Sequence, residues 1–388
     1  MLYFAIIDLS YNFGRWMLYT VLTVLTFSSG GIENLSYLIL SYSLPTIALS
    51  SSIGRIIINY NKFKIIKYTI IINLFIFLLI IYYSNNVPLI LALSAIESII
   101  STSNYLSVRF IINQYSKSQK LLAINHSHII MAQLCANTLG SSLGGYLVYN
   151  KQLVYVIILI IVSSITSLII STFVNFNTTI NNSSIPDERK EFNFKEVKNL
   201  INVQNYSYST FVIFGCIYTQ YLVAYTEYKM PGVNNAYSLM LFFNGVATII
   251  GIYACNFLLS RYDVKNTIKI FYVCSFLWGI TILVLSLVQD YLIIMIFSFV
   301  YSLQSAMLRK YHNFILCILT PINLNSIVLG KSNALWNAAT LIGNLTGAHL
   351  IQNINIDYTL IFCGTAIILL SIFFTVVKIF TTNKISAN

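Results

Sequence analysis

Two ionisable side chains stand inside long apolar runs. Glu97 is the lone acid between Val87 and Arg109, and Arg15 is the lone base in the run that begins near residue 5. A helical rise of about 1.5 Å per residue puts Glu97 about 15 Å from Val87, at the middle of a ~30 Å hydrocarbon layer. Arg15, about ten residues into its own run, reaches a similar depth from the other side. Ionisable groups at that depth are costly, so by default they mark an ion or substrate path and have a partner. Each is the natural partner of the other. A carboxylate that gains an arginine loses affinity for a proton and regains it when the arginine leaves, which is what proton coupling requires. The alternative is a static ion pair that pins two helices together. Arg15 could also receive an anionic cargo through paired hydrogen bonds.

The elements that must position these groups are transmembrane helices. The chain has 388 residues, of which 57% are hydrophobic and 9% charged. A soluble domain has about 25% charged residues, so this composition excludes one. About twelve apolar runs are each long enough to cross a bilayer, at 5–29, 35–58, 66–84, 87–109, 121–149, 152–175, 206–228, 234–259, 267–288, 291–309, 326–351 and 357–378. The fold class expected is an all-α membrane protein of two pseudo-symmetric six-helix bundles, residues 1–176 and 206–388. A polar linker, 177–205, joins them, and Phe192–Leu200 within it is expected to form a short helix on the membrane surface.

The net charge of +11 is compatible with nucleic acid or with a membrane, and its distribution decides for the membrane. With the N-terminus inside, nineteen of the 22 Lys and Arg fall in the cytoplasmic loops, linker and tail. The exceptions are Arg15, Lys151 and Lys229. Lys and Arg accumulate on the cytoplasmic side, so both termini are expected there. No cleavable signal peptide is evident, because the first apolar run lacks a basic start and merges into a full span. The six cysteines all lie in apolar runs with no metal-binding spacing, and they read as small buried hydrophobes.

Internal repetition supports the division into halves. Phe13-Gly14 returns as Phe214-Gly215, Tyr60 and Lys67 as Tyr262 and Lys269, and Gly140 and Gly144 as Gly343 and Gly347. Their near-constant offset indicates two halves about an axis normal to the membrane, with a path between them. Polar stripes at helical spacing mark faces turned from lipid. Span 1 carries Asp8, Asn12, Arg15, Tyr19, Thr23 and Thr26, and span 4 carries Ser94, Glu97, Ser101 and Asn104. Span 5 carries His126, Gln133, Asn137 and Ser141, and span 11 carries Asn333, Asn337, Thr340 and Asn344. Span 7 presents Phe214, Tyr218, Tyr221, Tyr225 and Tyr228, which suit an aromatic cargo and general packing equally. The four repeated glycines, Gly140, Gly144, Gly343 and Gly347, suit close helix packing better than cargo contact. His126 and His128 read as interface residues before a proton relay, His312 and His349 carry less information near span ends, and Glu227 and Lys229 read as solvated charges at the mouth of span 7.

The loop after span 2, from Gly54 to Lys64, resembles the signature of the major facilitator superfamily, G-x-x-x-D-R-x-x-[KR]-x-[KR]. Gly54, Lys62 and Lys64 match; Ile58 and Asn59 stand where that family has its acid and arginine. The second-half copy, Ser260–Lys265, keeps an arginine, Arg261. Leu121–Asn125 with Gly140–Gly145 resembles a pattern of the drug:proton antiporter group that includes macrolide-efflux and enterobactin-export proteins, with Ser141 replacing its proline. Pro45 and Ser10-x-x-x-Gly14 fit the same group, and Arg15 stands where it usually has Asp. The resemblance implies a cavity lined by spans 1, 4, 7 and 10, and a cytoplasmic gate at Gly54, Lys62, Lys64 and Arg261.

These readings converge on a secondary transporter that exports an amphipathic small molecule, a drug, siderophore or antimicrobial peptide, in exchange for protons. Self-immunity to such a peptide is one version. The expected cavity residues are Glu97, Arg15, Asn104, Tyr19, Gln133, Tyr218 and Asn337. The expected setting is a bacterial cytoplasmic membrane, with the chain as a monomer whose partners are its substrate, protons and lipid, not nucleic acid. No cofactor or metal is expected, and no ATP-binding loop is present. An importer or facilitator on the same fold is the rival. An intramembrane enzyme or a receptor is the other class, and neither HExxH nor GxSxG occurs.

Overall fold

The chain turns back on itself at Gly30–Gly31. The computed structural model describes residues 2–84, 86–115, 119–173, 194–233, 235–259, 264–320 and 322–385. Its first helical element, α1, runs Leu2–Asn59, but Gly30 (φ −163°, ψ 22°) and Gly31 (φ 61°, ψ −143°) leave helical geometry. The Gly31 conformation is one that only glycine adopts without strain. Contacts with α3 (Val87–Tyr115) fix the direction of each limb. Tyr11 meets Ser101 and Arg15 meets Glu97, so the first limb, 2–29, runs against α3. Ser98 bonds the Tyr42 carbonyl and Thr46 meets Thr102, so the second limb, 32–59, runs with it. Two crossings therefore come from α1, as the runs 5–29 and 35–58 predict.

The remaining elements are α2 (Lys62–Tyr82), α4 (Gln119–Tyr149), α5 (Leu153–Phe173), α6 (Phe194–Gln220), α7 (Leu222–Lys229), α8 (Ala236–Leu259), α9 (Val264–Leu287), α10 (Tyr291–Leu319), α11 (Ile322–Asn353) and α12 (Ile356–Ile385). Asn61 caps α2 by accepting from the Phe63 and Lys64 amides, and Asp290 caps α10 by accepting from Ile293. The seventh span, expected at 206–228, is two helices, α6 and α7, meeting at Tyr221. The separate surface helix expected at Phe192–Leu200 is not formed as such. Residues 192–193 lie outside the described residues, and 194–200 are the opening turns of α6, which no proline interrupts. The result is an all-α membrane fold with six crossings in each half.

Among the described residues, α2, α3, α5, α8, α9, α10 and α12 are by length and composition apolar enough to cross a membrane. Of the helices that fall short, α1, α4 and α11 carry stripes of polar residues, as α3 also does. The repeated glycines explain how closely α1, α4, α6 and α11 pack. A Cβ at Gly140 would lie 2.5 Å from the Phe13 carbonyl oxygen, and one at Gly144 2.7 Å from that of Met17. Gly343 sits in the same way against the Ile213 carbonyl, and Gly347 against Ile217, where an added Cβ would lie 3.0 Å from its side chain. The first limb of α1 thus packs on α4 as α6 packs on α11.

Each half has its own apolar core, but the second-half core also takes in Leu35 and Ile39 of α1. Among the described residues, other cross-half contacts lie from the middle of the bundle towards the Gly30–Gly31 end. Asn344 donates to the Ser36 carbonyl at 3.2 Å, and Tyr19 donates to Gln220 at 3.4 Å. Gly245 lies against Thr138, and a Cβ at Gly145 would be 3.0 Å from that of Ser238.

Candidate functional site

Glu97 is fully buried, and its Oε1 lies 2.9 Å from Nε of Arg15. Ser101, one turn further along α3, donates its hydroxyl to the same Oε1. A serine hydroxyl has a single hydrogen. Ser101 Oγ must therefore accept from Tyr11, 2.8 Å away, and from Asn73 Nδ2, 3.1 Å away. Asn73 also donates to the Tyr11 hydroxyl. Every donor in this chain points towards the carboxyl group, so the network converges on Glu97 Oε1. Glu97 Oε2 has no hydrogen-bond partner among the described residues. Arg15 commits only Nε, and its side chain is 30% exposed.

Around this pair the structure places the other predicted residues unevenly. Tyr19, one turn above Arg15, packs edge-on against Trp16 at 5.7 Å and Tyr42 at 5.0 Å. Gln133 of α4 lies near the carboxyl of Asp8, which is buried two turns below Arg15. Asn104 is buried on α3, its Oδ1 without a partner among the described residues. Tyr218 is buried in the second half, where it donates to Ser298 at 2.8 Å, and Ser298 donates to Asn244 at 2.7 Å. Asn337 is half-buried and bonds Asn333 of its own helix at 2.9 Å. No described contact joins Tyr218 or Asn337 to the Glu97 network. Gly54, Lys62 and Lys64 flank the turn between α1 and α2, while Arg261 lies outside the described residues.

Lys229 is a correction. It is not a solvated charge: its side chain is fully buried, 2.7 Å from Asp357 and 3.1 Å from the Ser286 carbonyl. The short helix α7 turns it inward onto α9 and α12, and a buried ammonium needs such partners. His312, of which the sequence said little, is also buried, bonded to Ser332 at 2.8 Å and stacked on Tyr208. The sequence reading also missed Asn73 and Asn244. Asn73 is the lone amide in its apolar run, the same signal that singled out Glu97, whereas Asn244 shares its run with Asn256. Tyr42 was hidden by a composition containing 28 tyrosines.

Residues 4–317 match the family described as Major Facilitator Superfamily, and the chain belongs to that family. It is a multi-pass membrane protein and a secondary transporter of a small solute, not an enzyme. Solved structures agree on the fold. The human organic anion transporter MFSD10 (TETRAN) superposes with a TM-score of 0.73 at 13% identity, over 96% of this chain and 98% of that one. A bacterial homologue of the iron transporter ferroportin, in its outward-facing state, gives 0.69 at 14% identity, over 96% and 98%. A point mutant of the nucleoside transporter NupG gives 0.68 at 13% identity, over 97% and 98%. No curated protein sequence matches the chain.

Proposed function

We propose that this transporter exports an amphipathic small molecule (a drug, siderophore or antimicrobial peptide) from a bacterial cytoplasm in exchange for protons. It works as a monomer, by alternating access between the two bundles. The observation that carries the reading is the pairing of a fully buried carboxylate, Glu97, with a guanidinium that remains 30% exposed. A proton reaching Glu97 cancels its charge, weakens its hold on Arg15 and removes the acceptor that the Tyr11–Ser101 hydroxyls serve. Such a change at the helix contacts of one bundle is a differential interaction able to bias two conformations.

The described cross-half contacts leave room for access from one side. With both termini cytoplasmic, as the distribution of Lys and Arg favours, the joined Gly30–Gly31 end faces outward. Cargo and Arg15 would then meet from the cytoplasmic side, with Gly54, Lys62, Lys64 and Arg261 at the gate that closes behind it.

A toxicity panel, comparing cells with and without the gene, identifies a cargo, which is then followed in proteoliposomes of known orientation. Glu97→Gln keeps the volume of the side chain and cannot titrate. Gradient-driven flux is expected to be lost while cargo counterflow without a gradient persists. Unchanged gradient-driven flux in the folded variant overturns the coupling role, and net inward movement with protons converts the reading to an importer.

A further inference from the structure

We propose that Arg15 is the cargo-recognition group, and that the cargo is an organic anion: a carboxylate or sulfonate carried on an aromatic or apolar body. This deepens the transport reading and rests on it for what the site is for. A guanidinium offers five N–H donors in a planar fork. Glu97 takes the one on Nε. The four on Nη1 and Nη2 have no partner among the described residues, and the side chain is 30% exposed while Glu97 is fully buried. The guanidinium therefore has one donor occupied by its own carboxylate and others to spare on a partly exposed side chain. Two parallel N–H groups match the spacing of two oxygens on one carboxylate or sulfonate.

The surroundings of this side chain select the rest of the molecule. Trp16, Tyr19 and Tyr42 form an edge-packed set, all three only half-buried. Arg15 lies within electrostatic reach of the Tyr19 and Tyr42 hydroxyls. Gln220 reaches the set from the other half, through its bond from Tyr19. An aromatic body fits against such rings, and contact with both Tyr19 and Gln220 would span the two bundles. A cation is disfavoured: of the described acids within reach of Arg15, Glu97 is buried and already faces it, and Asp8 is buried two turns away. The same arrangement makes Glu97 and the cargo competitors for a single guanidinium.

The test uses the full chain in detergent and a matched pair of fluorescent probes, dansyl sulfonate and the uncharged dansyl amide. Sulfonate binding is expected to be saturable and about tenfold or more tighter than amide binding, the difference a charge-assisted pair of hydrogen bonds makes. Glu97→Gln releases the fork and is expected to tighten sulfonate binding by about threefold or more, by removing the competing ionised acceptor. Arg15→Gln alone strands the buried carboxylate, so the preference is tested in Arg15→Gln/Glu97→Gln, which leaves no orphan charge. That double variant is expected to bind both probes alike. Equal affinity of the wild-type chain for the two probes, absence of saturable sulfonate binding to the folded chain, or a sulfonate preference that survives in the double variant each overturns the proposal. The two readings fail separately. Proton-driven flux of an uncharged or cationic cargo leaves transport standing and removes the anion site, whereas sulfonate binding without any proton-linked flux does the reverse.

Discussion

The two halves share a scaffold and differ in what they hold at its centre. In the first, Gly140 and Gly144 of α4 sit on the backbone of Phe13 and Met17; in the second, Gly343 and Gly347 of α11 sit on that of Ile213 and on Ile217. Helices α3 and α10 are each 29 residues long, and Glu97 and Tyr301 are both the eleventh residue. Arg15 follows Gly14, and Cys216 follows the repeated Gly215. Where the first half has an ion pair, the second has a neutral tyrosine that donates to the Gly215 carbonyl at 2.6 Å. The polar contacts nearby are neutral too, running from Tyr218 through Ser298 to Asn244 and from Tyr221 to Asn344. Helix packing has been kept while chemistry has diverged. The first bundle carries its buried ion pair at this level, while the second carries its own, Lys229 with Asp357, at the end of α7.

If the centre of the second half is neutral around Tyr301, an added charge there should be tolerated worst of all. Tyr301→Glu would place a carboxylate at a site that is 1% exposed, with Cys216 rather than an arginine across from it. The expected loss is about 4 kcal/mol or more, the cost of burying an unpaired charge. It would be read as a collapse of the thermal midpoint in detergent or a failure to accumulate in the membrane. A variant as stable as the wild type would show that the second half also has water at its centre, and the contrast between the halves would vanish.

In the first half the pair can be broken from either side, and the two breaks should differ. Arg15→Gln leaves Glu97 charged and fully buried, at an expected cost of about 3 kcal/mol. Glu97→Gln leaves Arg15 with partial access to solvent and should cost about 1 kcal/mol. The double variant should recover most of the Arg15→Gln loss, because it removes the orphan. Thermal unfolding of the four chains side by side checks the sign of this coupling. Additive losses would mean that the two residues do not act on each other in solution.

How much of this was legible beforehand depended on the kind of signal. The twelve crossings were visible because a bilayer demands long apolar runs, and the repeat was visible because close approach demands glycine at fixed places. The Arg15–Glu97 pairing was also visible, since lone charges in apolar runs have few partners to choose from. Lys229 was misread because the turn at Tyr221, which swings α7 inward, carries no proline or glycine to announce it. Asn73 and Tyr42 were hidden differently. Their roles depend on which face of α2 or α1 meets α3, and an apolar run with one amide does not encode its own rotation. The boundary of α6 was missed because Phe194–Leu200 is as polar as a loop, and only helix continuity places it.

The shared scaffold makes its own prediction. Gly140→Ala and Gly343→Ala each push a methyl into a facing carbonyl, of Phe13 in one half and of Ile213 in the other. Backbone cannot rotate away as a side chain can, so each should cost about 2 kcal/mol, and the two costs should be similar. A large difference in midpoint between them would show that the halves pack with unequal tightness and that the sequence repeat overstates the symmetry.

The finest distinction lies in two hydroxyl deletions. Tyr11→Phe removes the donor to Ser101 in the charged network, and Tyr218→Phe removes the donor to Ser298 in the neutral one. Both tyrosines are buried, and each variant should lose about 1 kcal/mol of stability, the net worth of one hydrogen bond. Their functional effects should part. Without Tyr11 the chain of donors ending on Glu97 is shortened, so the pH profile of gradient-driven flux should change. Tyr218→Phe should leave that profile where it is, because nothing in its network titrates in the working range. Matched stability losses with a shifted profile in one variant only would place the proton in the first bundle; a shift in both would mean that the neutral network takes part in the titration after all.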